Sequence, residues 1–257
     1  MVPHLGLRRG ASLMPSSFVQ SVIAQSTVNG TGQNLTIGPM TITSGNALIL
    51  WLLCNDNTDA ALSAGGNALL NAGIQTPIFS GSFILGYYCQ NITAGGAISV
   101  TRSGGDIMAA YLAEYSGLAQ SGGLAGSFTT NPQPGGPGDG TDAITSGLVA
   151  VTAPCMQFGI TIDSSGAVNP ANPSNTGTIG AGTGWADRGN WVDSVARAVS
   201  RFEDLRSTVS GNVAATFTLG GNKGFGDFIS ASFALPEPGQ SAAPQVSSLS
   251  SFNLGPG

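Results

Sequence analysis

Residues 82–118 read SFILGYYCQNITAGGAISVTRSGGDIMAAYLAEYSGL, and this stretch decides the fold class. Phe83, Leu85, Tyr87 and Cys89 recur at every second position, as do Ile107, Ala109, Tyr111, Ala113 and Tyr115. Successive side chains of an extended chain point to opposite faces, so each set lines one face of a strand laid on a core. Ala94-Gly95-Gly96 and Ser103-Gly104-Gly105-Asp106 separate the strands, and their glycines supply the positive φ angles that tight reversals require. The reading is three short strands with tight turns between them, and no catalytic constellation.

The same pattern extends in both directions. Strand-like runs occupy residues 18–27, 33–43 and 47–54 before it. After the Pro/Gly-rich passage 131–140 they resume at 147–153, 157–163, 194–204, 212–219 and 225–235. No amphipathic helix interrupts them, and no internal repeat of fixed period is visible. Many short strands with turn signals between them predict an all-β protein, a jelly-roll-like antiparallel β-sandwich. Its body spans residues 18–235. An extended N-terminal arm (1–17) and an extended C-terminal tail (236–257) flank it, both rich in Pro, Gly and Ser. Such segments bury too little apolar surface to fold alone. Leu249, Phe252 and Leu254 in the tail are therefore candidate contacts to adjacent subunits.

Composition excludes several roles. Charged residues make up 8% of the chain, against the roughly 25% of ordinary soluble proteins. Eight basic residues and a net charge of −5 cannot track a phosphate backbone, so no direct nucleic-acid partner is expected. The longest apolar run, residues 47–54, is far shorter than the roughly 20 residues that cross a bilayer, so no membrane partner is expected either. The opening segment has two arginines but no apolar stretch after them, unlike a secretory signal. Without a glycosylating compartment the Asn-x-Ser/Thr matches at Asn29, Asn34 and Asn91 are chance. Cys54, Cys89 and Cys155 are odd in number and lack CxxC spacing, which reads as buried free thiols rather than a disulfide or a metal site.

Catalytic chemistry finds little to use. His4 is the only histidine and lies in the arm, so a Ser-His-Asp or Cys-His site in the body is excluded. The carboxylates open to an acid–base role are Asp56, Asp59, Glu114, Asp163, Asp187, Asp193, Glu203 and Asp204. Glu203 and Asp204 are adjacent on a strand and point to opposite faces, and Glu114 reads as a hydrogen-bonding residue at a strand end. Asn55-Asp56-Asn57-Thr58-Asp59 lacks the glycine and terminal Glu of a calcium loop and reads as a solvated turn. The expectation is a non-enzyme with no catalytic residue, no metal and no cofactor.

The best contact candidates are Trp185, Asp187, Arg188, Asn190 and Trp191, read as a loop over residues 182–191. Two indoles beside planar polar groups suit a sugar ring. They suit a subunit interface equally well, and both rings could instead fold onto the sandwich edge.

A resemblance joins these residues to a family. Gly45-Asn46-Ala47-Leu48 through Trp51, then Tyr87-Tyr88-Cys89-Gln90-Asn91-Ile92-Thr93-Ala94-Gly95-Gly96, then Ala113-Glu114-Tyr115-Ser116-Gly117-Leu118 resemble a β-sandwich family of tailed-bacteriophage virion proteins. The closing strand, Phe228 to Phe233, is similar to that family's terminal strand. The resemblance implies a virion structural protein, made in the host bacterial cytoplasm: a capsid decoration or minor head protein whose partners are other virion proteins and copies of itself. The alternative it leaves is a tail-fibre or receptor-binding module that holds a cell-surface glycan through the Trp185/Trp191 segment.

Overall fold

The structure, a computed structural model, describes residues 14–25, 35–54, 62–74, 83–93, 96–102, 107–133, 143–163, 178–193, 198–220 and 228–239. The tail contacts Leu249, Phe252 and Leu254 lie outside the described residues, as do His4, Asp56 and Asp59. The described chain is an all-β antiparallel sandwich with no helix.

Its strands fall into two halves in chain order. The first half contains β1 (Ser17–Gln25), β2 (Leu35–Ile42), β3 (Ala47–Cys54), β4 (Leu62–Ala64), β5 (Asn67–Ile74), β6 (Phe83–Cys89), β7 (Gly96–Arg102) and β8 (Ile107–Ser116). They form one eight-stranded sheet in the order β1-β8-β3-β6-β5-β4-β7-β2. The sheet curls until its end strands meet: the Gln20 side-chain amide on β1 donates to the Thr41 carbonyl on β2. Its interior is apolar, with Ile37, Leu48, Leu50, Leu52, Leu85, Tyr87 and Leu112 in one buried cluster.

The second half contains β9 (Gly126–Gln133), β10 (Ala143–Thr145), β11 (Val149–Val151), β12 (Cys155–Asp163), β13 (Thr178–Ala181), β14 (Ala186–Asp193), β15 (Ala198–Ser207), β16 (Gly211–Val213), β17 (Thr216–Gly220) and β18 (Phe228–Pro236). Five of them form a sheet in the order β14-β15-β12-β18-β9, β10-β17-β13 form a second sheet, and β11 pairs with β16. The small sheets cover the outer face of the five-stranded one, burying Ile144, Phe217 and Phe228 on one side and Val149, Cys155 and Ala234 on another.

The halves meet across a mid-plane that holds the largest cluster of the protein. Ala47, Ile49, Trp51 and Leu53 of β3 and Ala109, Tyr111, Ala113 and Tyr115 of β8 pack there on Met156, Phe158, Ile160, Ile162, Phe202, Phe233 and Leu235. Tyr111 stacks on Phe202 with ring centroids 4.2 Å apart and planes 10° from parallel. Trp51 lies 5.0 Å from Phe233, and Tyr115 meets Phe158 edge-on at 4.9 Å. Gly86 on β6 faces this cluster for a steric reason: a Cβ there would stand 3.0 Å from Trp51 and 3.1 Å from Phe233. Its absence lets the indole lie flat on the strand. Each large aromatic buried here contributes on the order of 2–3 kcal/mol from area alone.

This stack of layers changes the meaning of the alternation. Each set of period-two residues does share a face, but the two sets face opposite ways. Phe83, Leu85, Tyr87 and Cys89 enter the first half's interior, while Ala109, Tyr111, Ala113 and Tyr115 enter the mid-plane. β3 and β6 are buried along their whole length on both faces, where the sequence predicts one face on a core. The strands β4, β5, β9, β10, β13 and β14 are absent from the sequence reading. In particular, the predicted loop over residues 182–191 is for the most part strand β14, an edge strand paired with β15.

Candidate functional site

β14 carries Asp187, Arg188, Asn190 and Trp191 of the sequence-predicted contact residues, with Trp185 just before it, and a bulge in the strand sets their directions. Pairing with β15 slips by one residue between Asp187 and Gly189, and Gly189 has a φ of +118° that favours glycine. Trp191 points into the mid-plane cluster, is 2% exposed, and donates its indole N–H to Gln25 Oε1 at 2.7 Å. Trp185 is half-buried against Ile144, Phe217 and the rest of their cluster. Asp187 is exposed and pairs with Arg201, Asn190 is exposed, and Arg188 turns inward. The two indoles thus belong to two different packed clusters and form no shared stacking face.

Arg188 holds the bulge to the sandwich edge. Its Nε donates to Asp204 Oδ2 at 2.5 Å and its Nη2 to Oδ1 at 3.0 Å, a bidentate pair with a carboxylate that is almost wholly buried. The guanidinium lies 4.3 Å over the Phe18 ring. Tyr115 donates its hydroxyl to the same Asp204 at 2.8 Å, and burial, with the neighbouring charge of Asp204 reinforcing it, raises the Tyr115 hydroxyl well above its ordinary pKa. Arg188, Phe18, Tyr115 and Asp204 thus join β14, β1, β8 and β15 at one corner.

A hollow of about 340 Å³ opens at that corner, lined by Ser16, Phe18, Met156, Arg188, Asp204 and Arg206 among others. Its second cation is also occupied. Arg206 donates to Glu237 through Nε at 2.6 Å and Nη2 at 2.8 Å, and Ser16 donates to the same carboxylate from its backbone N–H at 3.1 Å and its hydroxyl at 2.5 Å. Burial opposes ionisation of Glu237, but the bonds from Arg206 and Ser16 win and hold its carboxyl below the ordinary range. Ser16 and Glu237 are buried parts of the body, although the sequence reading assigned them to the arm and the tail. The signal available was Glu237 itself, the sole acidic residue among residues 236–257.

Two other carboxylates are buried without a chelating cation among the described residues. Glu114 accepts from the Thr43 backbone N–H at 2.8 Å, Asn46 Nδ2 at 2.5 Å and Gln20 Nε2 at 2.6 Å, fixing the β2–β3 turn to β8 and β1. Glu203 lies on the opposite face of β15 from Asp204, as the adjacency of the two requires. It accepts from the Gly182 and Thr216 backbone N–H groups at 2.9 and 3.2 Å. Burial pushes its pKa up to about 8, against the lowering effect of those two bonds. Asp163 is fully buried at the end of β12. These acids do not converge on one cleft, and among the described residues no group of three or more His, Cys, Asp or Glu side chains gathers to hold a metal.

None of the three cysteines is in a disulfide and all are buried, with Cys155 pushed up to about 11 by burial and the charge of Glu237. Thiolate character, the source of cysteine reactivity, is suppressed there. No family model, curated protein or solved structure matches the chain.

Proposed function

We propose that this chain is a bacteriophage virion structural protein, a capsid decoration or minor head protein that binds neighbouring subunits through its sandwich and its terminal segments. It works by burying area against copies of itself and other virion proteins, without catalysis and without a cofactor. One observation carries the reading beyond the sequence resemblance: Ser16 is hydrogen-bonded to Glu237. The described ends of the body, Ser16 and Glu237, therefore lie together at one corner, and a neighbour bound there meets both. A sparsely charged surface supports the same role, since charge is the ordinary defence against association. The uses of Glu114, Glu203, Asp204, Glu237, Arg188 and Arg206 support it too, because each holds separate segments of the body together.

The test is to delete residues 240–257 and to locate the protein in purified particles. The truncated protein is expected to melt within a degree or two of the intact one, yet to incorporate poorly into particles, with the intact protein on the head lattice. Normal incorporation of the truncated form overturns the gripping role. Density at a tail tip favours the fibre reading instead.

A further inference from the structure

We infer that the body is a fused dimer: two copies of one eight-strand unit, residues 17–116 and 126–236, docked face to face across the mid-plane. The strand order states the case. The first half runs β1-β8-β3-β6-β5-β4-β7-β2. The second runs β9-β18-β12-β15-β14 in one sheet and β13-β17-β10 in the next. Reading β9, β10, β12, β13, β14, β15, β17 and β18 as the counterparts of β1 to β8 makes the two orders identical, with β11 and β16 as an added pair. In each unit the first, eighth, third and sixth strands line the mid-plane and the rest fold over the far side, the order of a jelly roll.

The fifth-strand bulge sets the register between the units. It lies opposite Tyr87 and Gly86 in the first and opposite Glu203 and Phe202 in the second, so Gly86 corresponds to Phe202, and through the strand pairings Trp51 corresponds to Ile160 and Tyr111 to Ala231. On that alignment Ala47, Ile49, Trp51 and Leu53 match Met156, Phe158, Ile160 and Ile162, and all eight belong to the mid-plane cluster. The fifth-strand bulge recurs as well, between Asn71 and Gly73 in one unit and between Asp187 and Gly189 in the other. A bulge is a specific local device, and its return on the fifth strand of each unit, against the sixth, is poorly explained by sandwich packing alone.

The contacts across the mid-plane are reciprocal, which is what a two-fold interface requires. The first strand of the first unit places Phe18 beneath Arg188, in the second unit's bulge. The first strand of the second unit places Phe128 against Gly73, in the first unit's bulge, so closely that a Cβ on Gly73 would lie 2.2 Å from the ring. The unit interiors have meanwhile diverged. Leu48, Leu50, Leu52, Tyr87 and Leu112 in the first correspond to Gln157, Gly159, Thr161, Glu203 and Ser232 in the second. The mid-plane positions of the third and eighth strands are apolar in both units, so the shared feature is the docking surface, and the partner it fits is a second copy of the unit.

The experiment inserts a protease site between Gly122 and Gly123, an exposed turn where an added Cβ meets nothing within 4 Å, and cleaves the folded full-length protein. The two pieces are expected to sediment together as a 1:1 complex. On dilution or in mild urea they should separate with their strand circular dichroism intact. Trp51→Ala and Phe233→Ala, one on each side, should each weaken association on the order of a hundredfold. Leu50→Ala should instead lower the melting temperature of the first piece. Pieces that part only as all strand signal is lost make the mid-plane an ordinary single core and overturn the inference. Folded pieces that fall apart at micromolar concentration overturn the docking surface.

Discussion

Ser16 and Glu237 stand 221 positions apart in the chain and are joined by two hydrogen bonds, from the serine backbone N–H and from its hydroxyl. Arg206 holds the same carboxylate in a bidentate pair. One buried acid thus closes the body at both of its described ends.

Removing that carboxylate should be costly. Glu237→Ala leaves the Ser16 N–H without its acceptor and Arg206 without its partner, a loss of about 2–3 kcal/mol at neutral pH. The folded carboxyl titrates below its ordinary value of 4.5. The folded state therefore releases this proton more readily than the unfolded one, and the stabilisation is complete above that value and fades as the pH falls through the lower folded one. Urea unfolding at pH 7 and pH 3 checks this: the gap between wild type and variant should be large at the first and small at the second. A gap of equal size at both would sink the ion-pair account.

Glu114 offers a sharper case, because no described cation pairs with it and three donors from β1 and the β2–β3 turn converge on it. Glu114→Ala strands the Thr43 N–H and two side-chain amides in a buried site, at about 2–4 kcal/mol. Glu114→Gln should recover only part of this, since its own N–H₂ group faces a donor. A melting temperature unchanged in both variants would show that the turn is held by other means.

How much of this was legible in the sequence follows from what each residue's pattern depends on. Alternation in Phe83–Cys89 and Ile107–Ser116 marked strands β6 and β8 because a pleat fixes side-chain direction locally. It did not reveal that the same sheet is covered on both faces, since Ala110 and Leu112 are apolar for a reason that lies in the other layer. Residues 182–191 read as a loop because Gly182, Gly184 and Gly189 are turn residues by propensity. In the fold Gly182 and Gly184 make the turn, while Gly189 sits in a bulge inside strand β14. The glycan reading of Trp185 and Trp191 assumed a shared exposed face, and a strand with a bulge sends them into separate clusters. The repeat was invisible for a different reason: the counterpart of Trp51 is Ile160 and that of Leu52 is Thr161, so the units share register and shape but few residue identities.

The cysteines give a simple chemical expectation. All three are buried and none is in a disulfide, and burial raises both Cys89 and Cys155, so the folded protein should react slowly with a thiol reagent at pH 8. After denaturation without reductant three thiols should titrate. A count of one would mean that a disulfide had formed.

The pH profile near neutrality should be governed by Glu203. Its carboxyl is buried beneath the turn between β13 and β14 and accepts from Gly182 and Thr216, and its pKa is pushed up to about 8 from an ordinary 4.5. The charged groups that act on it are Arg201, which favours its ionised form, and Asp204 across the strand, which opposes it. Between those two values the folded state keeps a proton that the unfolded state has released, so stability falls as the pH rises from about 4.5 to about 8 and levels off above. At about 1.4 kcal/mol per pKa unit the decline amounts to a few kcal/mol, which places it above the scatter of a denaturation series. Glu203→Gln removes the titration, and its unfolding free energy should be flat across the window in which the wild type slopes downward. A wild type that is equally stable at pH 5.5 and pH 8.5 would show that the two backbone N–H groups keep Glu203 ionised despite its burial. In that outcome Glu203→Gln would destabilise at every pH, by the loss of one accepted hydrogen bond.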